Sequence, residues 1–560
     1  MNKILDKLVF KKKNLLALFF LGIILILALF LRVYRLDSIP LGFHIDEASL
    51  GYNGYSLLNT GKDENNNKLP LYIDMFGDNR PSGYHYLTIP SIKFLGLSVF
   101  ATRLPSALFG AFLVIPFFFL SKILFKSRKI ALVSALLIAI APWSVDLSRA
   151  SAEAVVALFF ILSGYVVFLI GFQKQQSRFY FLGAFILLFS FFFYHTPRVF
   201  VPLLILVSIL YLYPVWIKFK LKNKATILLA FMGLSLIAFS LVFLIKGGTG
   251  RFSQVNIFSF PEVRLLMEEQ IREDGISNTQ VFLTRTFHNK IINYSLGFVA
   301  NYSDYFTGKF LFISGGLPIW YRVPAMGLIY ILELPFILFG IFYMYNSKNK
   351  YSKLPLVWLI IAPITAAITR DDVPNINRAI VMFPMLELIA AVGFVAFIDK
   401  LTGFKRKITV GFIILLLIFN FLYFFHQYFI HSQVNKNWYR NEGFGEMVAA
   451  VKKDYSNYDK VIVTKSWGGI YPLILFYMKY DPKAYQAQGS PKDKEYTGFG
   501  KFFFAVSPCP SVDRDSRFPK AKKTIYIDNG NCPDYKGLED IKHTFITRKD
   551  GTKVFRIVYE

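Results

Sequence analysis

Cysteine is nearly absent. The 560 residues contain two, Cys509 and Cys532, which excludes a cysteine-built metal cluster. Acid is scarce as well, with 36 Asp and Glu against 63 Lys and Arg and a formal net charge of +27. Such an excess raises the question of nucleic acid, which the placement of the cations answers below. Also missing is a small-residue cleavage site behind the first apolar run, Asn14 to Leu31. That run is too long and unbroken for a signal-peptide core, so it reads as an uncleaved first span. What the chain does have is apolar bulk: 54% hydrophobic residues, 61 Phe and 32 Tyr, and a mean hydropathy of +0.43. A span needs about 20 mostly apolar residues, and such windows recur over the first 430 positions. The sequence is that of a polytopic membrane protein.

Eleven spans are expected, at 14–34, 101–121, 129–145, 152–171, 178–195, 198–217, 225–246, 325–345, 352–369, 378–398 and 408–430. Lys3, Lys7 and Lys11 to Lys13 precede the first. Lys122, Lys126, Arg128 and Lys129 follow the second, and Lys174 and Arg178 the fourth. Further basic groups follow the sixth (Lys218 to Lys224), the eighth (Lys348 to Lys353) and the tenth (Lys400 to Lys407). Every second connection is basic, as the positive-inside rule requires of a chain whose N-terminus is cytoplasmic. The charge is therefore an orientation signal, and nucleic acid is not an expected partner. Basic cytoplasmic loops throughout fit a bacterial plasma membrane.

The external connections are 35–100, 146–151, 195–197, 247–324, 370–377 and the tail after 431. In the first, ASLGYNGYSLL and GYHYLTIPSIKFLG have helical spacing but are too short and polar to span, which suits interfacial helices. The expected domains are a membrane module, 1–430, and an extracytoplasmic α/β domain, 431–560. In the tail KVIVT and TIYID read as strands, GFGEMVAAVKKD as an amphipathic helix, and FITRKDGTKVFRIVY as a hairpin on Asp550-Gly551. Outside the membrane Cys509 and Cys532 are free to form a disulfide.

Chemistry-bearing residues collect on this external side. LGFHIDEASL sets Asp46 and Glu47 just beyond the first span. Polar residues capping a span end explain that pair equally, but a carboxylate beside lipid can also act as a general base. PWSVDLSRASAEA carries Arg149 and Glu153, whose spacing of four suggests one helix face. YHTPRVFVPLL carries Tyr194, His195 and Arg198; TRDDVPNINRAIV carries Asp371, Asp372, Asn377 and Arg378; GDNRPSGYHY carries Arg80, Tyr84 and His85. Each cation reads singly as a helix-end anchor. Together, external arginines beside carboxylates suit a lipid phosphate plus a base, because guanidinium binds phosphate in a bidentate fork. Glu333 and Glu387 lie within spans and keep a transporter or lipid flippase as the rival class.

The ordered set Asp-Glu after the first span, R-P-x-x-Y-H-Y, ATRLPSALFG, PWSVDLSRASAEA and YHTPRVFVPLL resembles the GT-C membrane glycosyltransferases. The branch it is most similar to is that of protein O-mannosyltransferases and lipid A aminoarabinose transferases. The likeness covers most of 30–400 and is clearest before 205. It implies a GT-C fold of about eleven transmembrane helices with an extracytoplasmic C-terminal domain. It also implies transfer of a sugar from a polyprenyl-phosphate donor to a lipid, glycan or protein acceptor. Asp46 then matches the loop acid, as general base or acceptor-orienting group, with Glu47 beside it and Glu153 as the second-loop acid. Arg80, with Tyr84 and His85, occupies the donor-phosphate position. Arg149, Tyr194, His195, Arg198, Asn377 and Arg378 match further substrate-binding positions. No cofactor is firmly implied. Some members use a divalent ion, for which Asp46 and Glu153 would be oxygen ligands. The central sugar-binding module of the protein mannosyltransferases is absent, only residues 247–324 standing in its place.

Overall fold

The structure, a computed structural model, describes all residues except 1, 76, 245–253, 260, 436, 489–496, 515–517 and 519–520. For 2–14, 437 and 438 only the backbone is considered. The chain forms two compact units, one of residues 1–32, 106–148 and 152–425, the other of 33–105, 149–151 and 426–560.

The first unit is built mainly of helices. Among the described residues of the whole chain five helices are long and apolar enough to cross a membrane, at Leu15–Val33, Val99–Phe125, Glu153–Lys174, Leu221–Leu244 and Gly403–Gln433. The pair Arg128–Ile140 and Pro142–Ser148 makes a sixth, bent by 52°. Ser177–Phe192, Pro197–Tyr211 and Ile331–Tyr345 are shorter apolar helices. Each expected span has a helical counterpart, with differences in extent: 325–345 is helical only from Ile331, and 198–217 is interrupted at Leu212. Residues 245 and 246 of the 225–246 span lie outside the described residues. The 352–369 span breaks into Leu354–Ile361 and Ile364–Ala367, where Pro363 removes an amide donor. The tenth starts at Phe383, five residues later than the expected 378.

The bent pair shows how a break survives in apolar surroundings, where each freed carbonyl needs a new donor. Pro142 has no N–H to offer Ile138, the Trp143 N–H goes to Leu328 O (3.0 Å), and the Ser144 N–H goes to Ala141 O (3.1 Å). Arg32, fully buried, fills two gaps by donating to Ile138 O (3.2 Å) and Ala139 O (2.9 Å). The Tyr330 hydroxyl fills the third at Ile140 O (2.7 Å). Arg32 also reaches Ser144 Oγ (2.7 Å) and Ser148 Oγ (3.3 Å) across the bend.

The second unit joins the loop after the first span to the tail. The loop holds the helix Ile45–Thr60, a hairpin of β1 (Tyr72–Met75) and β2 (Asp78–Pro81), and the helix Gly83–Leu95. The tail holds a sheet of β3 (Lys460–Thr464), β4 (Gly498–Phe499), β5 (Phe502–Ala505), β6 (Thr524–Asn529), β7 (His543–Thr547) and β8 (Lys553–Tyr559). Strand order is β4-β5-β3-β6-β8-β7, with β5, β3 and β6 parallel. The expected strands, the amphipathic helix Phe444–Asp454 and the Asp550-Gly551 hairpin all form. Cys509 and Cys532 are disulfide-bonded, with a Cα separation of 5.6 Å. One hydrophobic core runs through loop and tail, from Tyr52 and Ile92 to Phe476 and Ile527. Gly51 makes that contact close, since a Cβ there would sit 2.6 Å from the Phe476 ring. Gln486 of the tail donates to Ser56 Oγ, Thr60 Oγ1 and Asp63 O of the loop.

Candidate functional site

The helix Ile45–Thr60 aims its first turn at the charged residues. Its N-cap, His44, accepts the Asp46 N–H on Nδ1 (3.2 Å), and the Glu47 carboxylate accepts the His44 N–H (3.2 Å). Two acids in a first turn also match the positive end of the helix dipole. Burial pulls the His44 pKa below its ordinary value, against Asp46 and Glu47, which raise it. A neutral ring with Nδ1 as acceptor is the form that the Asp46 N–H needs.

The two adjacent carboxylates then part company. Asp46 points along the loop to Arg80, which donates from one terminal nitrogen to Asp46 Oδ2 (3.0 Å) and from Nε to Asp78 Oδ2 (3.1 Å). Arg80 sits on β2 opposite Ile73 of β1, so a two-strand ladder fixes its backbone. Both side chains stay partly open, Arg80 at 23% and Asp46 at 21% exposure.

Glu47 is enclosed. Arg103 donates from Nε to Oε1 (2.8 Å) and from a terminal nitrogen to Oε2 (3.0 Å), a bidentate pair, while Ser151 Oγ donates to Oε1 (3.1 Å). Arg440 of the tail stands 3.9 Å from Oε2. Burial by itself would raise the Glu47 pKa. The guanidiniums of Arg103 and Arg440 outweigh it, so the carboxyl lies below its ordinary value. Arg103 continues to Leu36 O, Pro40 O and Gly42 O, tying the chain after the first span to this acid.

Arg149 is not on a helix with Glu153. It lies in a turn ended by Ser151 at φ 50°, and the helix starts afresh at Glu153. The expected shared helix face is therefore replaced by a break. The Arg149 side chain is fully buried, donates to Tyr34 O (2.8 Å) and Ile39 O (2.8 Å), and stacks on Phe429 at 5.0 Å. Tyr84 is buried with its hydroxyl on Thr102 O (2.9 Å). His85 is buried with no partner for either ring nitrogen among the described residues. Burial, with the nearby Arg80 charge, lowers its pKa to about 3, so its ring is neutral.

The other candidates belong to the span unit. Arg198 follows Pro197 at a helix start and donates twice to Phe191 O (3.1 and 2.8 Å), with a terminal nitrogen 3.2 Å from His195 Nδ1. Tyr194 lies in the same turn, between Phe192 and Pro197. Arg378 holds Thr369 Oγ1 (2.8 Å) and both the carbonyl and the carboxylate of Asp371. Asn377 Oδ1 is buried without a donor among the described residues. Glu153 is the first residue of Glu153–Lys174. Glu333 and Glu387, the residues behind the transporter reading, are packed side chains, with Trp143 Nε1 donating to Glu387 (3.2 Å).

Three residues were not among the candidates. Asp146 is buried in a narrow cleft lined by Trp143, Tyr321, Arg322 and Met326. Its signal was an acid one helical turn before Arg149 in the same external stretch. Arg103 stands inside the ATRLPSALFG pattern, yet only the fold reveals its acid. Arg440 is 393 positions from Glu47 in sequence, a pairing that no local pattern carries. Among the described residues no three His, Cys, Asp or Glu side chains converge as metal ligands. Asp46 is turned onto Arg80.

With this geometry in hand, the chain can be set beside known proteins. No family model matches it, and no curated protein matches its sequence. Solved structures do match, and they define the class: the chain has the GT-C glycosyltransferase fold. ArnT from Cupriavidus metallidurans bound to undecaprenyl phosphate superposes with a TM-score of 0.54 at 10% identity, over 97% of each chain. Its apo state gives 0.52 at 10% identity over 98% of each. The oligosaccharyltransferase AglB from Archaeoglobus fulgidus, in complex with an inhibitory peptide and a dolichol-phosphate, gives 0.51 at 14% identity. That match covers 83% of this chain and 64% of AglB, so the chain spans under two thirds of that enzyme.

Proposed function

We propose that this protein is an integral membrane glycosyltransferase that moves a sugar from a polyprenyl-phosphate donor to an acceptor hydroxyl or phosphate. The carrying observation is the Asp46–Arg80 pair, a carboxylate and a guanidinium 3.0 Å apart and both partly open, on one helix start and one hairpin. The acceptor oxygen attacks the anomeric carbon, and the bond from that carbon to the donor phosphate oxygen breaks with its electron pair leaving on the phosphate. Asp46 takes the acceptor proton, and Arg80 stabilises the charge growing on the phosphate. One such displacement inverts the anomeric centre. Glu47, doubly held by Arg103, serves to fix the helix start that presents Asp46. The undecaprenyl phosphate in one structural neighbour and the dolichol-phosphate in another support a lipid-phosphate donor here.

The alternating basic connections support an N-terminus in the cytoplasm and the tail outside, in a plasma membrane. Both cysteines are disulfide-bonded, so a single introduced cysteine is the only thiol. In intact cells Lys483→Cys should react with a membrane-impermeant reagent, whereas Asn349→Cys should not; the reverse pattern rejects the orientation. Function is tested by incubating the purified protein with a polyprenyl-phosphate sugar and candidate acceptors. Release of polyprenyl phosphate coupled to acceptor glycosylation supports the reading. Lipid translocation in vesicles without transfer rejects it for the flippase class.

A further inference from the structure

Two buried acids in the span unit meet each other rather than a base. Glu333 immediately precedes the helix Leu334–Tyr345, and Glu387 lies in the helix Phe383–Asp399. Both are buried, and their two helices pack closely where Gly340 meets Ile389 and Gly393 meets Phe336, which brings the two carboxyls beside each other. One oxygen of each has a conventional donor: the Tyr330 N–H for Glu333 Oε1 (3.3 Å) and Trp143 Nε1–H for Glu387 Oε1 (3.2 Å). The remaining Oε2 of each is buried and has no donor among the described residues. Two ionised carboxylates are acceptors only, so neither can satisfy the other, and paired like charges away from water are strongly unfavourable. A proton on one of them removes both problems, turning it into the missing donor.

We propose that Glu333 and Glu387 hold one shared proton, and that this carboxyl pair clamps the broken helix that presents Asp146. The connections run to both sides of the break. Glu387 bonds Trp143, the second residue of Pro142–Ser148, whose ring also packs on Phe383 at 5.3 Å. Glu333 holds the N–H of Tyr330, whose hydroxyl donates to Ile140 O, the last residue of Arg128–Ile140. Asp146 lies one turn beyond Trp143 and lines the same cleft. Glu333 and Glu387 are thus positioning residues, acting on the break through Tyr330 and Trp143. This inference rests on the fold and stands independently of the transfer reading.

Infrared difference spectra of the purified protein test it at neutral pH, using wild type minus Glu387→Gln and wild type minus Glu333→Gln. Each difference should contain a protonated-carboxyl C=O band that shifts in D2O. Carboxylate stretches alone in both differences would overturn the shared proton, as would a band that Na+ or Mg2+ removes, since the pair would then be a cation site. Melting temperatures test the clamp. A Gln amide can replace the protonated carboxyl, so Glu387→Gln should melt near wild type and Glu387→Ala clearly lower. Equal melting of the Gln and Ala variants would overturn the positioning role. Should a Gln variant fail to fold, the band is sought in wild type minus Trp143→Phe, which removes the indole donor and should shift the same C=O band; no shift there counts against the pair.

Discussion

In the unit of residues 33–105, 149–151 and 426–560, the buried guanidiniums of Arg103 and Arg556 meet carboxylates, Glu47 at 2.8 Å and Asp528 at 2.9 Å. In the span unit Arg32 and Arg198 turn theirs onto backbone carbonyls at Ile138, Ala139 and Phe191. The difference follows from what each environment leaves unsatisfied. Helix breaks in apolar surroundings free carbonyls, and a guanidinium carries five donors with which to answer them. The other unit has acids in reach, and there these two arginines pair charge with charge. Arg149 is the exception, an arginine of the unit with Glu47 that nevertheless serves carbonyls. Arginines that look alike in the sequence therefore do different work: Arg80 meets carboxylates, whereas Arg149 is taken up by carbonyls.

The largest expected effect comes from breaking a buried ion pair, that of Glu47 with Arg103. Removing one partner of a buried pair costs about 3–5 kcal/mol, so Glu47→Ala should lose that much stability in denaturation of the detergent-solubilised protein. The sign with pH is fixed by the lowered Glu47 pKa. Its contribution is present above the unfolded value of 4.5 and fades as pH falls below it. An unchanged melt in Glu47→Ala would place Glu47 outside the architecture.

The next contrast sets Arg80 against Arg149. Losing one charge-assisted contact costs about 1.5–3 kcal/mol, roughly a ten- to hundredfold loss of donor affinity for Arg80→Ala with little change in stability. Arg149→Ala should do the opposite, lowering stability while the folded fraction binds donor normally. Swapped outcomes would reverse which arginine touches the phosphate.

A further effect is a slope. Burial raises the Glu64 pKa from 4.5 to about 8, and Tyr471 of the tail donates to its carboxyl (3.3 Å). The folded state then binds the extra proton between those values, so stability falls as pH rises from about 4.5 to 8 and levels above it. Glu64→Gln should flatten that slope and leave the acid side, governed by Glu47, unchanged. A slope retained in Glu64→Gln assigns it to another group.

Much of this was readable from local pattern. The helical spans follow from apolar run length, and the tail strands from short β-branched runs between turns. Gly61 ends the loop helix at φ 67°, as a glycine after a periodic segment suggests. The acid pair at the first span end was visible, but the division of partners between Asp46 and Glu47 was not. That division depends on Arg103 and Arg440, which stand 56 and 393 positions from Glu47. The Arg149–Glu153 helix face failed for a local reason: Ser151 takes a left-handed φ, which periodicity does not register. Arg32 could be counted as a span-end cation, whereas its bonds to Ile138 and Ala139 exist only once a proline breaks a helix elsewhere in the fold.

The central claim is that two adjacent carboxylates divide chemistry from architecture, and one paired measurement tests it. Turnover and melting temperature are recorded for Asp46→Asn and Glu47→Gln on monodisperse protein, with a polyprenyl-phosphate sugar and a competent acceptor. General base catalysis contributes about 10²–10⁴-fold, so Asp46→Asn should lose turnover by that factor while melting and binding donor like wild type. Glu47→Gln should lose stability and keep turnover per folded molecule. Near-normal turnover in Asp46→Asn, or a turnover loss in Glu47→Gln without a stability loss, would contradict the account.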